Sequence, residues 1–218
     1  MRSLRIALAQ MNPTVGDLRG NTQKIVDNIE RAQAAHADIL AFPELAVTGY
    51  PPEDLLCRSQ FIADNLTCVD EIRKAADGQM VVIVGFVDRK DDIYNAAAIL
   101  QDRTLAGVYY KSLLPNYGVF DENRYFQRAM NNCVFQLGQV PFGVSICEDI
   151  WVPAGPVREQ ALIGDALLLI NISASPYFAG KPSLRWNMLS TRALDNKAVV
   201  AMVNMVGGQD ELIFDGGS

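Results

Sequence analysis

Short apolar runs alternate with longer stretches of helical period along the whole chain. Residues 4–9 form a compact apolar run that predicts an opening strand. Asn21 is placed to cap a helix that carries Ile25, Ile29 and Ala32 on one face, and residues 38–42 return to strand. A second helical stretch over 54–76 sets Leu55, Ile62, Leu66, Val69 and Ile72 in one stripe. Residues 80–87 are almost continuously apolar and β-branched, the pattern of a strand covered on both faces. Strands follow over 94–100 and 104–110, separated by the polar turn Gln101-Asp102-Arg103.

Residues 111–132 break this rhythm with Pro115, Asn116, Gly118 and a cluster of charges. A stretch of that length without a pattern is usually a functional loop. Beyond it the alternation resumes: strands over 133–137 and 142–146, a helix over 158–163, and a buried strand over 166–172. Pro182 then opens a helix at a position proline tolerates, and a strand follows over 199–206. No repeat, linker or low-complexity segment divides the chain, so residues 1–218 read as one α/β domain. A strand-like 211–214 runs into Gly216-Gly217 at the end of the sequence. Such a turn normally introduces a partner strand, and none follows, so the domain is expected to be incomplete at its C-terminus.

Composition narrows the chemistry. The chain has 218 residues, half of them hydrophobic, with 19 basic and 25 acidic side chains and a net charge of −6. That balance argues against a nucleic-acid or membrane surface, either of which would need a basic face. A single histidine, His36, excludes a His-rich metal site, and it reads as a surface group near a helix end. The four cysteines, Cys57, Cys68, Cys133 and Cys147, contain no C-x-x-C pair, which leaves neither a zinc knuckle nor a redox pair. The start lacks a signal-peptide core and no apolar run is long enough for a membrane span, so the expected location is cytoplasmic.

Three strand ends carry reactive groups: Glu44 in Phe42-Pro43-Glu44-Leu45, Lys111 after Tyr109-Tyr110, and Cys147 in Ser145-Ile146-Cys147-Glu148-Asp149. Ligands of open α/β folds gather at the carboxyl ends of strands. Glu, Lys and Cys together provide a base, a cation and a nucleophile without histidine. Each also has a plain structural role open to it: a turn carboxylate, a solvated strand terminator, a small buried hydrophobe. Cys57, Cys68 and Cys133 are read in that plain way.

Longer segments carry a resemblance. They are residues 42–56 (Phe-Pro-Glu-Leu-Ala-Val-Thr-Gly-Tyr-Pro-Pro-Glu-Asp-Leu-Leu), residues 111–126 (Lys-Ser-Leu-Leu-Pro-Asn-Tyr-Gly-Val-Phe-Asp-Glu-Asn-Arg-Tyr-Phe) and Ile146-Cys147-Glu148-Asp149-Ile150-Trp151. Asn171-Ile172-Ser173-Ala174-Ser175-Pro176 and the closing 207–218 fit as well. In this order they resemble the nitrilase superfamily, and within it the glutaminase domains of glutamine-dependent NAD synthetases. The resemblance implies an αββα sandwich with a Glu44–Lys111–Cys147 triad. It implies substrate binding by Tyr117, Ser175, Lys181 and Glu148, with Ser173 close enough to compete for the role of Ser175, and a supporting role for Glu122 beside the lysine.

The implied reaction is hydrolysis of the glutamine side-chain amide through a thioester on Cys147, without a metal or cofactor. ATP and magnesium belong to a synthetase domain, whose phosphate-binding glycine loop is absent from 1–218. Implied partners are L-glutamine, that synthetase domain and further copies of the chain. A free-standing amidase, which would share the triad but not need the 50–56 and 114–117 segments, and a non-catalytic assembly module are the alternatives.

Overall fold

A computed structural model describes residues 3–129 and 132–218. The chain runs β1 (Ile6–Leu8), α1 (Leu18–Ala34), β2 (Ile39–Ala41), α2 (Ser59–Ala75), β3 (Val81–Arg89), β4 (Ile93–Gln101) and β5 (Thr104–Tyr110). It continues with β6 (Val134–Leu137), β7 (Val140–Ile146), α3 (Pro156–Leu162), β8 (Leu168–Ser173), α4 (Lys181–Asn196), β9 (Val199–Asn204), β10 (Val206–Gln209) and β11 (Leu212–Asp215). The first sheet has the order β1-β2-β3-β4-β5 and the second β6-β7-β8-β9, with β10 and β11 as a separate hairpin. Each sheet contains three parallel strands, β1-β2-β3 in one and β7-β8-β9 in the other, extended by antiparallel neighbours.

Alternation along the strands builds the layers, because successive side chains point to opposite faces. Leu40, Phe42, Val82, Val84, Ala96 and Ala98 face outward onto Ile25 and Ile29 of α1 and Cys68 and Ile72 of α2. Their neighbours Ile39, Ala41, Val81, Ile83, Ala97 and Ile99 face inward, onto Val144, Ile146, Leu168, Ile170 and Ile172 of the second sheet. Leu169 and Val200 turn the other way, onto Val157 of α3 and Met188 of α4. The result is helix, sheet, sheet, helix: the expected αββα sandwich. Ile83 is fully buried between the sheets, and cutting such a side chain to alanine typically costs about 2–5 kcal/mol.

Three expectations change in detail. Asn21 does not cap α1; Asp17 does, accepting from the Gly20 N–H. Asn21 lies inside the first turn and is buried, donating to the carbonyls of Thr14 and Val47 and accepting from the Thr14 N–H. An amide side chain can satisfy donors and acceptors of passing backbone together, which outweighs its preference for a cap. The helix read over 54–76 is two pieces, a 3₁₀ turn at Glu53–Cys57 and α2, separated by an extended Arg58. The strand read near 211–214 is β11, and it pairs antiparallel with the preceding β10.

Candidate active site

Two strained turns deliver the reactive groups. Glu44 follows β2, and the next residue, Leu45, has φ +48°; Cys147 follows β7 and itself has φ +43°. Such backbone in a non-glycine residue costs on the order of 1–3 kcal/mol and is held only where the surroundings enforce it. Around Glu44 the enforcement is Gly85: a Cβ there would lie 2.4 Å from the Pro43 carbonyl, so only glycine lets β3 pass beneath the turn. Lys111 stands one residue past β5, its N–H donating to the Asn95 carbonyl of β4.

These ends meet in the buried interior. Lys111 Nζ donates to Glu44 Oε1 at 2.7 Å and to both oxygens of Glu122 at 2.7 and 2.8 Å. Glu44 Oε1 also accepts from Asn95 Nδ2 at 2.8 Å, and Oε2 from the Ala174 N–H at 2.9 Å. Tyr50 donates to Glu122 Oε1 at 2.9 Å. Glu44, Lys111, Glu122 and Cys147 are all buried.

Burial pulls the Lys111 ammonium down, but Glu122 and Glu44 outweigh it and hold its pKa well above the ordinary lysine range. Burial, with Glu44 adding to it and Lys111 subtracting, pushes Glu122 up to about 7. The Cys147 thiol is raised well above its ordinary value, first by burial and next by Glu44. Lys111 draws that thiol downward, as the residue types suggest, yet burial and the carboxylates outweigh one cation. Cys147 therefore rests as a thiol and needs a base at the moment it reacts.

Asp149 fixes the cysteine turn against the lysine strand. Its buried carboxylate accepts from the Ser112 and Leu113 N–H groups on one oxygen, and from the Tyr109 hydroxyl and Ile146 N–H on the other. Burial lifts it to about 6, against the pull of those donors.

Of the other predicted groups, Tyr117, Glu148 and Lys181 lie toward the surface, while Ser173 and Ser175 are buried. The Tyr117 hydroxyl donates to Glu148 at 2.9 Å, beside a cleft formed with Ser112, Leu114, Asn116 and Arg128. Lys181 opens α4, its Nζ 4.2 Å above the Trp151 ring and 5.1 Å from that of Phe178. Desolvation lowers the Lys181 pKa, opposed by the negative charge that a Cys147 thiolate and Glu148 would carry. The two serines separate clearly. Ser173 donates to Asn171 Oδ1, which leaves its hydroxyl committed to the core. Ser175 is bound through its backbone, its N–H and carbonyl both held by Asn204, and it follows the residue whose N–H holds Glu44.

Tyr50, Asn95 and Asp149 escaped the reading of site residues from sequence. Asn95 carried the clearest signal, an amide in the middle of an otherwise apolar strand. His36 is exposed just past the end of α1, Cys57 is exposed, Cys68 is buried on the inner face of α2 and Cys133 is half-buried. Among the described residues no cluster of His, Cys, Asp and Glu could hold a metal ion, and no helix is long and apolar enough to cross a membrane.

Residues 5–218 match the family model described as carbon-nitrogen hydrolase. The chain belongs to the carbon-nitrogen hydrolase family. Within this family it is 47% identical over 219 residues to the glutamine-dependent NAD(+) synthetase of Thermotoga maritima, covering all of this chain and 38% of that protein. It is 45% identical over 217 residues to the enzyme of the same name from Aquifex aeolicus, again across 38% of its length. Among solved structures, glutamine-dependent NAD+ synthetase from Acinetobacter baumannii superposes with a TM-score of 0.91 at 39% identity, over 99% of this chain and 40% of that one. An amidase of the nitrilase superfamily from Nesterenkonia shares the fold, with a TM-score of 0.87 at 24% identity, over 97% of this chain and 80% of that one. The resemblance read from the sequence holds. The carbon-nitrogen hydrolase chain described here spans about two fifths of the length of its synthetase relatives.

Proposed function

We propose that this chain is a glutaminase, hydrolysing the side-chain amide of L-glutamine through a thioester on Cys147. The ammonia would serve an ATP-dependent amidation of deamido-NAD in a synthetase domain, as the names of the relatives suggest. The observation that carries this reading is the buried Glu44–Lys111–Glu122 cluster beside the strained Cys147 turn.

The chemistry follows from the charge states. Glu44 takes the Cys147 proton as sulfur attacks the amide carbon, since the thiol rests protonated. Lys111 and the Glu148 N–H stabilise the negative oxygen of the tetrahedral intermediate; losing one such donor costs roughly 10²–10³ in rate. Glu44 then returns the proton to the departing nitrogen, the C–N bond breaks, and ammonia leaves a glutamyl thioester. Water, deprotonated by Glu44, cleaves the thioester to glutamate and regenerates the thiol. Lys111 stays charged throughout, keeping Glu122 as its partner while Glu44 carries the proton, so the cycle needs no external cation.

The open side supports an amino-acid head group over a plain amide. Glu148 is suited to the substrate's α-ammonium and Lys181 to its α-carboxylate, with Tyr117 and the Ser175 hydroxyl orienting both. Lys181 rests on aromatic faces, with no ion pair from its ammonium among the described residues, which leaves it available for a carboxylate. The test is glutamine hydrolysis by the wild type and by Cys147→Ala, alongside amides that lack the α-ammonium or α-carboxylate. Wild-type turnover of glutamine, none by Cys147→Ala and poor turnover of the truncated amides are expected. Equal turnover of all the amides would point instead to a general amidase.

A further inference from the structure

The segment Tyr50-Pro51-Pro52-Glu53-Asp54-Leu55-Leu56 takes no part in the chemistry or recognition just described, yet it is tied twice to the loop that carries Glu122. Tyr50 Oη donates to Glu122 Oε1 at 2.9 Å, and Asp54 accepts from the Tyr125 hydroxyl at 2.8 Å. The Tyr50 ring is only 3% exposed and is packed among Leu45, Leu56, Phe126 and Phe214, lying edge-on to Phe214. Leu45 is the strained residue next to Glu44, so Tyr50 shares a core cluster with the turn bearing one carboxylate and bonds the other. The oxygen that receives the Tyr50 hydroxyl is also the one 2.7 Å from Lys111 Nζ.

We propose that Tyr50 is a positioning residue of the hydrolysis, its hydroxyl holding Glu122 as an ionised two-oxygen acceptor for Lys111 and so leaving Glu44 free to work as the base. The proposal rests on the glutaminase reading above. A donor aimed at a carboxylate favours its charged form. With Glu122 ionised, Lys111 has two counter-ions, and Glu44 can accept the thiol proton without stripping the cation bare. With Glu122 protonated, Glu44 becomes the only anion facing Lys111, and protonating it in a dry site becomes far harder. The titratable groups that face Glu122 are Lys111, Glu44 and Tyr50, with Cys147 in the field of the same cluster. Glu122 sits near neutrality, where a small change in its donors alters its charge.

The decisive variant is Tyr50→Phe, which deletes one oxygen from a packed ring. In the purified protein we expect kcat for glutamine to fall about tenfold with KM changed less than about twofold, since the contact acts on the chemical step. The acid limb of the kcat–pH profile should move upward by about half a unit or more. In a Glu122→Gln background, where no carboxylate remains to be held, Tyr50→Phe should change kcat by less than about twofold. Phe214→Leu, which loosens the same ring but keeps the hydroxyl, should lower thermal stability and leave the acid limb in place. An unmoved acid limb in Tyr50→Phe, or equal kcat losses with and without Glu122, would overturn the proposal and make Tyr50 a packing residue. Cys147→Ala run in parallel separates the two ideas: if it still hydrolyses glutamine, the glutaminase reading fails first.

Discussion

The two ends of the candidate site are built on opposite rules. At the inner end Glu44, Lys111, Glu122, Tyr50 and Asn95 are buried and joined by hydrogen bonds of 2.7–2.9 Å. At the outer end Tyr117 is 60% exposed and Lys181 is held by ring faces, with no ion pair from its ammonium among the described residues. Charge in a dry interior must be matched by the protein itself, because nothing else can compensate it. Charge at the mouth can be left for a ligand to match. On the proposed reading the inner end carries the chemistry and the outer end the recognition, so the same kind of substitution should act differently at each.

The sharpest contrast is between two lysines. Lys111→Met leaves Glu44 and Glu122 facing one another with no cation between them, so kcat should fall about a thousandfold or more and the melting temperature should drop. Glu44→Gln should lose about 10²–10⁴ in kcat through the base alone. Lys181→Met removes the same charge at the mouth, where KM for glutamine should rise about 10–100-fold while kcat changes only a few-fold. Steady-state kinetics on the three variants checks this. A kcat defect at Lys181 as large as that at Lys111 would erase the distinction between the ends.

A smaller effect lies in the dependence of stability on pH. Glu122, at about 7 in the folded chain, holds its proton more tightly than an unfolded glutamate, for which about 4.3 is usual. Its contribution to stability is complete below the unfolded value and is lost as pH rises through about 7. Asp149, raised to about 6, gives a slope of the same sign at lower pH. Urea unfolding from pH 4.5 to 7.5 should therefore show a flatter profile for Glu122→Gln than for the wild type. The smallest change belongs to Trp151→Leu, which removes the ring beneath Lys181. KM should rise about two- to fivefold with kcat intact, the weight of one partly exposed cation–π contact.

The inner and outer ends were not equally legible in the sequence. The layers could be read because buried strands are β-branched and continuous, and because neighbours such as Ile39 and Leu40 must point to opposite faces of one sheet. Glu44, Lys111 and Cys147 could be read because each ends an apolar run. Tyr50 and Asp149 could not, since their work depends on partners 72 and 40 positions away. No local pattern records a hydroxyl that meets a carboxylate across a fold. The sequence likewise leaves Ser173 and Ser175 as alternatives, and no local pattern records that the Ser173 hydroxyl donates to Asn171.

The account turns on Cys147 being the nucleophile, and covalent capture tests this most directly. The protein is incubated with a glutamine-derived diazoketone, digested, and analysed by mass spectrometry with and without excess glutamine. The account predicts one adduct, on Cys147, suppressed by glutamine, even though exposed Cys57 is the more accessible thiol. Modification of Cys57, Cys68 or Cys133 with Cys147 untouched, or labelling that glutamine does not slow, would contradict it.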